Sequence, residues 1–212
     1  MNKKQQVGML AFAKELPNIC SLLGLFCTVL AIYFAIGENF LASIIAILWS
    51  VLFDWYDGII ARKMKGRTKE QGVFGVQLDS MIDIVSFGVF PAILLLSYGN
   101  YNLWFIPGAF VIIAACAIRL SYFNIYGLID SNTYKGLSVD NNAIIIAFVF
   151  LFENLFQHSA FSILLYIVII ILSSLNLSSI PTPKFAGKWV YVLVAYVLVM
   201  TSVFGYLLFL GF

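Results

Sequence analysis

Residues 40–62 read FLASIIAILWSVLFDWYDGIIAR, an apolar run that nevertheless contains Asp54 and Asp57. A transmembrane helix needs about 20 predominantly apolar residues, because it must cross a hydrocarbon layer about 30 Å thick. A second run, residues 73–98, has the same character and carries Asp79 and Asp83. The two runs predict neighbouring membrane helices that hold carboxylates in an apolar setting.

The composition of the whole chain agrees with a membrane protein. Of its 212 residues, 62% are apolar and 10% are charged. Soluble domains contain about 45–50% apolar and about 25% charged residues. An apolar surface of this extent would aggregate in water. The composition therefore excludes a soluble enzyme, a nucleic-acid-binding protein and a disordered chain.

Apolar runs along the sequence predict an all-α polytopic membrane protein that forms a single domain, residues 1–212. Residues 1–16 place lysines and apolar residues at helical spacing, which predicts an amphipathic helix on the membrane surface. A cleaved signal peptide is the competing interpretation, but the first apolar run is long and no small-x-small site follows it. Seven membrane spans are expected: residues 17–37, 40–62, 73–98, 103–126, 140–156, 159–176 and 189–211.

The basic residues predict how the chain is oriented. All twelve lie before the first span, or within or next to every second connection, and the alternate connections contain none. Cytoplasmic loops of membrane proteins are enriched in Lys and Arg. We therefore expect an integral cell-membrane protein whose N-terminus faces the cytoplasm and whose C-terminus lies outside.

The four aspartates of the second and third spans fall on two helical faces. Because the connection between these spans is short, the helices are antiparallel neighbours and the carboxylates can meet at one level toward the cytoplasm. A charge near the centre of a membrane helix costs about 2.5–3.5 kcal/mol on insertion scales, so such residues indicate a functional site. The faces follow i, i+3 and i, i+4 spacing: Asp54, Asp57, Gly58, Ala61 and Arg62 on one, Gly75, Asp79 and Asp83 on the other.

Four clustered carboxylates need counter-charge, and Arg62 alone cannot supply it. Either some of them are protonated, as in a proton relay, or divalent cations lie among them. All-oxygen ligands suit Mg²⁺, Mn²⁺ or Ca²⁺. Two such ions would neutralise four aspartates, and a two-metal site is typical of phosphoryl transfer. Small residues on the same faces would let a substrate approach the backbone.

The residues on these faces resemble the signature of the CDP-alcohol phosphotransferase family, Asp-x₂-Asp-Gly-x₂-Ala-Arg … Gly-x₃-Asp-x₃-Asp. Every defined position is matched, although twelve residues separate Arg62 from Gly75, more than in the usual pattern. The stretches at 83–92 and 119–124 resemble the phosphatidylserine synthases of bacteria within that family. The likeness weakens after about residue 180. A six-helix catalytic core at 17–178 and an extra C-terminal span at 189–211 are therefore expected.

The resemblance implies an enzyme that transfers the phosphatidyl group of CDP-diacylglycerol to the hydroxyl of L-serine and releases CMP. It implies a homodimer among membrane lipids, no nucleic-acid partner, and two divalent cations, Mg²⁺ or Mn²⁺, with Ca²⁺ as a substitute. Asp83 would also be the general base that takes the proton of the alcohol. The implied metal ligands are Asp54, Asp57, Asp79 and Asp83; the CDP-binding residues are Gly58, Ala61, Arg62, Gly75, Asn18 and Ser21; the acceptor or phosphate residues are Arg119, Lys135 and Ser86.

Other functions stay open at this point. The same chemistry can use inositol phosphate, glycerol phosphate or choline as the acceptor, or an archaeal-type lipid as the donor. Intramembrane acids also occur in ion-coupled transporters. A transporter would leave the Gly, Ala and Arg positions around the acids unexplained, and the sequence contains no repeated halves of the kind that transporters have.

Overall fold

The computed structural model describes residues 8–130, 133–184 and 187–211, which are almost wholly helical. Two short strands, β1 (Thr133–Lys135) and β2 (Pro181–Pro183), pair in antiparallel fashion. The prediction of an all-α polytopic membrane protein is confirmed. The helices are α1 (Met9–Ala13), α2 (Leu16–Ile36), α3 (Phe40–Lys63), α4 (Lys69–Ile84), α5 (Phe90–Tyr98), α6 (Ile106–Tyr126), α7 (Asp140–Phe150), α8 (His158–Leu177) and α9 (Trp189–Phe209).

Six helical segments in the described ranges are long and apolar enough to cross a membrane, where seven spans were predicted. The prediction of a full span at residues 140–156 was wrong. That stretch forms α7, of only 11 residues, and then a 3₁₀ turn at Glu153–Leu155. An 11-residue helix rises about 16 Å, roughly half of the hydrocarbon layer.

Helix α7 begins beside the predicted site and runs from there toward the end of α5. Its first residue, Asp140, accepts a hydrogen bond from Trp55 Nε1 at 2.8 Å. At its other end the ring of Phe150 contacts Tyr98, the last residue of α5. The chain before α7 forms loop and the strand β1 instead of further helical turns.

Part of the predicted N-terminal helix lies within the described residues. Helix α1 covers Met9–Ala13, and residues 1–7 lie outside the described residues. Met9 is exposed, whereas Phe12 stacks on Phe74 of α4 with the ring centroids 5.2 Å apart. Pro17 lies in the first turn of α2, where its missing N–H breaks no helical hydrogen bond. The location of α1 at the membrane surface stays a prediction.

Helices α3 and α4 form the scaffold of the candidate site. Helix α4 starts at a capping box of Thr68 and Gln71, which satisfies backbone N–H groups at its first turn. It continues through a π-helical turn, Val85–Val89, into α5. The carbonyl of Phe87 in this turn accepts a hydrogen bond from Asn142 Nδ2 of α7 at 3.2 Å, so the altered helix geometry leaves that buried carbonyl paired.

Helix α3 lies at the centre of the packing. Helix α2 runs along it on one side, and α9 packs against it on another. The predicted extra C-terminal span is thus in direct contact with the helix that carries Asp54 and Asp57. The division into a core at 17–178 and an extra span stays a prediction.

Candidate active site

The four aspartates predicted from spacing come together between α3 and α4. We call Asp54, Asp57, Asp79 and Asp83 the acid cluster; all four line one cavity. Asp54, Asp57 and Asp79 can each direct one carboxylate oxygen so that the three oxygens lie within 4.8 Å of one another. The Oδ1 atom of Asp83 is buried and has no hydrogen-bond partner among the described residues. A buried charged oxygen without a partner is costly, so the cluster is a candidate site for cations.

The cavity beside the acid cluster has a volume of about 270 Å³. Its walls come from α3, α4 and α6 and from the loop that precedes α7. The paired strands add Tyr134 from β1 and Thr182 from β2, and Gly187 and Val190 contribute from the start of α9. The site therefore combines chain segments that are far apart in the sequence, and the C-terminal helix is part of its wall.

Arg119 is the buried cation of this cavity. Only 6% of its surface is exposed, and its Nε donates a hydrogen bond to the carbonyl of Leu137 at 3.2 Å. The guanidinium carbon lies 5.3 Å from the ring centroid of Phe123 and 5.4 Å from that of Tyr134. Cation–π contacts of this kind fix the side chain. The predicted acceptor residue is thus positioned in the cavity wall, which the solvent-exposed Arg62 also lines.

Lys184 and Tyr134, which lie outside the membrane helices, have shifted pKa values. Burial lowers the pKa of Lys184, and the nearby Arg62 lowers it further. Burial raises the pKa of Tyr134 to about 12, and the carboxylate of Asp140 adds to the rise. Lys184 and Arg62 both line the cavity. Two cations brought together at the mouth of a cavity are suited to bind a polyanion such as a diphosphate.

Two of the predicted CDP-binding residues line the cavity, and the other four lie outside its lining. Gly58 and Arg62 line the cavity, and a Cβ at Gly58 would lie 3.2 Å from Nη1 of Arg62. Ser21 is buried and donates its hydroxyl hydrogen bond to Asp57. Ala61 is half-buried one turn after Asp57 on α3. Ser21 therefore contacts a member of the acid cluster rather than the open space.

Gly75 and Asn18 lie at a different place, next to Arg67. A Cβ at Gly75 would lie 2.9 Å from Nη2 of Arg67 and 3.2 Å from Oδ1 of Asn18. Arg67 forms a 2.8 Å ion pair with Glu15, and Asn18 donates to the carbonyl of Phe12 at 2.8 Å. The absence of a side chain at Gly75 thus makes room for the residues that attach α1 to α4.

Two predicted acceptor residues lie outside the cavity lining. Lys135 Nζ is 3.2 Å from the hydroxyl of Tyr122 and 5.0 Å from the centroid of its ring. Ser86 is fully buried, and its Oγ is 2.6 Å from Oγ1 of Thr28. Ser50 completes this group, with its Oγ 2.8 Å from that of Thr28. We call Thr28, Ser50 and Ser86 the hydroxyl cluster.

The structure adds cavity residues that sequence reasoning missed: Asp140, Tyr134, Thr182 and Lys184. Asp140 stands at the edge of an apolar run, which is the signal that identified the four aspartates, so the sequence did contain a pointer to it. From the sequence, Lys184 is one of the basic residues that predict the orientation of the chain. Tyr134 and Thr182 reach the site because β1 and β2 pair, and no short-range pattern predicts that pairing.

Comparisons with known proteins find similar sequences. Residues 14–210 match the family model described as CDP-alcohol phosphatidyltransferase. A CDP-diacylglycerol–serine O-phosphatidyltransferase of Helicobacter pylori is 29% identical over 194 residues, covering 88% of this chain and 79% of the relative. An archaetidylserine synthase of Methanothermobacter thermautotrophicus is 34% identical over 181 residues, covering 83% and 73%. A CDP-diacylglycerol–serine O-phosphatidyltransferase of Methanocaldococcus jannaschii is 33% identical over 165 residues, covering 77% and 74%.

Proposed function

Because the chain belongs to the CDP-alcohol phosphatidyltransferase family, we propose that it transfers the phosphatidyl group of CDP-diacylglycerol to the hydroxyl of L-serine. The products are phosphatidylserine and CMP. The observation that carries this proposal is the acid cluster, four aspartates from two helices lining one cavity that also contains Arg119. The serine-specific names of the relatives support the choice of acceptor. An ion-coupled transporter receives no support from the family match.

The acid cluster fits a pair of divalent cations, Mg²⁺ or Mn²⁺. The donors are all carboxylate oxygens, three of them within 4.8 Å of one another, and one oxygen of Asp83 is buried without a partner. Hard cations prefer such oxygens. When bound, the cations neutralise charge that builds up on the phosphate oxygens during transfer. Ser21 contributes by holding Asp57 through its hydroxyl hydrogen bond.

The chain's own groups perform the proton transfer. Asp83 Oδ1 accepts the proton of the serine hydroxyl, and the serine oxygen forms a bond to the phosphorus that carries the diacylglycerol. The bond from that phosphorus to the CMP oxygen breaks, and CMP leaves with the electron pair. General-base catalysis by a positioned carboxylate contributes about 10²–10⁴-fold to the rate. The enclosed Oδ1 of Asp83 is the atom suited to this task.

Arg62 and Lys184 bind the diphosphate of the nucleotide. Both line the cavity, and two positive charges match the two negative charges of a diphosphate diester. Gly58 leaves room beside the Arg62 guanidinium, and Ala61 keeps the same face of α3 small. Gly75 and Asn18 contribute to nucleotide binding only indirectly. They pack beside Arg67 and so position the segment that contains it.

Arg119 binds the carboxylate of the acceptor. It is buried, lines the cavity and is fixed by two aromatic rings. Lys135 and Ser86 have other contacts, so we assign the acceptor carboxylate to Arg119 alone. Bidentate donation from a guanidinium to a carboxylate gives both affinity and orientation.

The cavity opens toward the cytoplasm in this proposal. The basic connection that contains Lys63, Lys65 and Lys69 lies at the end of the bundle where α3 stops and α4 begins. Basic loops of membrane proteins face the cytoplasm, so water-soluble serine and CMP have access while the lipid tails stay in the bilayer. We also propose that the protein forms a homodimer, a state that cross-linking in lipid nanodiscs tests.

Release of CMP from CDP-diacylglycerol tests the function. Purified protein in lipid nanodiscs receives Mn²⁺ and one acceptor at a time: L-serine, glycerol 3-phosphate, inositol phosphate or choline. We expect CMP only with L-serine. CMP with a different acceptor alone contradicts the choice of serine, and no CMP from folded protein with any acceptor contradicts phosphatidyl transfer. A parallel set with an archaeal-type CDP-lipid identifies the donor, since one relative is an archaetidylserine synthase.

A further inference from the structure

Asp140 is a fifth buried carboxylate in the cavity, and the mechanism above does not use it. It is the first residue of α7, is 9% exposed and lines the cavity wall. Its Oδ2 accepts a hydrogen bond from Trp55 Nε1 at 2.8 Å. Its Oδ1 is enclosed and has no hydrogen-bond partner among the described residues. One oxygen is thus fixed by the protein, and the other is left for a different donor.

The hydrogen bond to Trp55 and a place in the first turn of α7, where a negative charge is favourable, leave Oδ1 of Asp140 unexplained. A single acceptor atom is enough to satisfy the Trp55 indole, and an asparagine or glutamine would supply it without burying a charge. Leaving a buried carboxylate oxygen unpaired destabilises a protein unless a cation or donor arrives to complete it. The partner expected for Oδ1 of Asp140 is therefore a positively charged group from a bound molecule.

A fixed positive charge lines the same cavity. Arg119 contacts the carbonyl of Leu137, three residues before Asp140, through its Nε. Its guanidinium is held beside the rings of Phe123 and Tyr134, and it forms no ion pair within 4 Å with any carboxylate in the described ranges. Asp140 is anchored separately, through Trp55. Each of the two opposite charges is thus held by its own contacts, and no ion pair joins them.

We propose that Asp140 and Arg119 together form a site for a zwitterionic amino acid, with Asp140 binding the α-ammonium group and Arg119 the α-carboxylate. The inference rests on the proposed function and deepens it, because L-serine carries both charges beside the hydroxyl that reacts. A site with these two charges recognises both the ammonium group and the carboxylate of the acceptor. The carboxylate of Asp140 repels an acceptor that carries a phosphate, and Arg119 finds no partner on choline or ethanolamine.

The variant Asp140→Asn tests the ammonium site. Asparagine keeps an oxygen that accepts the Trp55 hydrogen bond, while the negative charge is lost. We expect the KM for L-serine to rise on the order of 10–100-fold, the range for losing a hydrogen bond to a charged group. The KM for CDP-diacylglycerol and the Mn²⁺ concentration for half-maximal rate stay unchanged. Glu153→Gln, the same change near Tyr98 at the opposite end of the bundle, serves as the matched control and leaves all three values unchanged.

Serine analogues test both charges in the unmodified protein, independently of whether Asp140→Asn folds. We expect 3-hydroxypropionate, which lacks the ammonium, and L-serine methyl ester, which lacks the carboxylate charge, each to compete at least about tenfold more weakly than L-serine. In Asp140→Asn the preference for L-serine over 3-hydroxypropionate collapses, because the group that distinguishes them has lost its partner.

The outcomes separate this inference from the proposed function. If the protein makes phosphatidylserine and Asp140→Asn leaves the KM for L-serine unchanged, the ammonium site is wrong and the proposed function stands. A raised Mn²⁺ requirement with unchanged KM for L-serine also overturns it, since Asp140 would then be a metal ligand. If no acceptor yields CMP, the ammonium site is tested by measuring L-serine binding calorimetrically to the unmodified protein and to Asp140→Asn. Weaker binding to Asp140→Asn supports the site, and equal binding overturns it.

Discussion

The hydroxyl cluster and the acid cluster are neighbours along the chain but differ in how their polar atoms are satisfied. Ser50 and Asp54 are four residues apart on α3, and Ser86 and Asp83 are three apart along the chain. The three hydroxyls pair with one another at 2.6–3.5 Å. Among the carboxylates, Oδ1 of Asp83 is buried and has no hydrogen-bond partner in the described part of the chain.

This difference indicates what each cluster is for. Hydroxyl groups can donate and accept, so three of them close a network without outside help. Carboxylates only accept, and neighbouring ones repel each other. The hydroxyl cluster therefore stabilises the bundle where α2, α3 and the π-helical turn meet, and the acid cluster requires ligands. Substitutions in the two clusters should have opposite effects on activity and stability.

The largest effect is expected for Asp83→Asn, which removes the proposed base from the acid cluster. CMP release should fall about 10³-fold, because general-base catalysis alone contributes about 10²–10⁴-fold. The thermal unfolding midpoint without divalent cations should stay equal or rise, since one like charge is removed. Initial rates and unfolding curves in the same nanodiscs give both values. Activity above one tenth of the unmodified enzyme would contradict the assignment.

An intermediate effect is expected for Lys184→Ala. Loss of a charged contact to the diphosphate should raise the KM for CDP-diacylglycerol about tenfold, while the KM for L-serine changes little. Lys188 is exposed on the same connection, so Lys188→Ala is the matched control. Equal KM values for the lipid in the two variants would show that Lys184 does not bind the diphosphate.

The lowered pKa of Lys184 predicts that the KM for CDP-diacylglycerol depends on pH. Burial and Arg62 lower the pKa of Lys184, so its ammonium loses the proton at a lower pH than free lysine does. As the pH rises through that lowered pKa, the positive charge disappears and the KM for CDP-diacylglycerol increases. In Lys184→Arg the guanidinium stays charged, and KM should be flat over the same interval. A parallel rise in Lys184→Arg would assign the pH dependence to another group.

The smallest effect on catalysis is expected in the hydroxyl cluster. Thr28→Val keeps the shape of the side chain and removes the hydroxyl that contacts Ser50 and Ser86. The free energy of unfolding should fall by about 0.5–1.5 kcal/mol, with CMP release per folded molecule within about twofold. Denaturant or thermal unfolding gives the first value. A large loss of CMP release without a loss of stability would place the hydroxyl cluster in the catalytic machinery.

Sequence spacing was sufficient to predict the acid cluster. Helical periodicity places Asp54 and Asp57 on one face and Asp79 and Asp83 on another, and a short connection makes their helices neighbours. The physical cost of charge in hydrocarbon supplied the functional interpretation. These arguments depend only on local geometry, and local geometry is what the sequence specifies most directly.

Other features depend on contacts between distant segments. Hydropathy over residues 140–156 averages apolar side chains and does not detect that the helix begins at Asp140, which Trp55 binds, and ends before the turn at Glu153. Long side chains are equally hard to place from spacing. Lys135 lies against Tyr122 rather than in the cavity, and Lys184 enters the cavity because β2 pairs with β1.

Formation of phosphatidylserine as Mn²⁺ is titrated tests the central claim most directly. Purified protein freed of divalent cations, CDP-diacylglycerol and labelled L-serine are combined, and the unmodified chain is compared with Asp79→Asn, which keeps the size of the side chain. We predict no product without Mn²⁺, saturable recovery on titration, and a requirement for much more Mn²⁺ in Asp79→Asn. Phosphatidylserine formed at full rate without divalent cations, or identical Mn²⁺ curves for the two proteins, would contradict a metal-binding acid cluster.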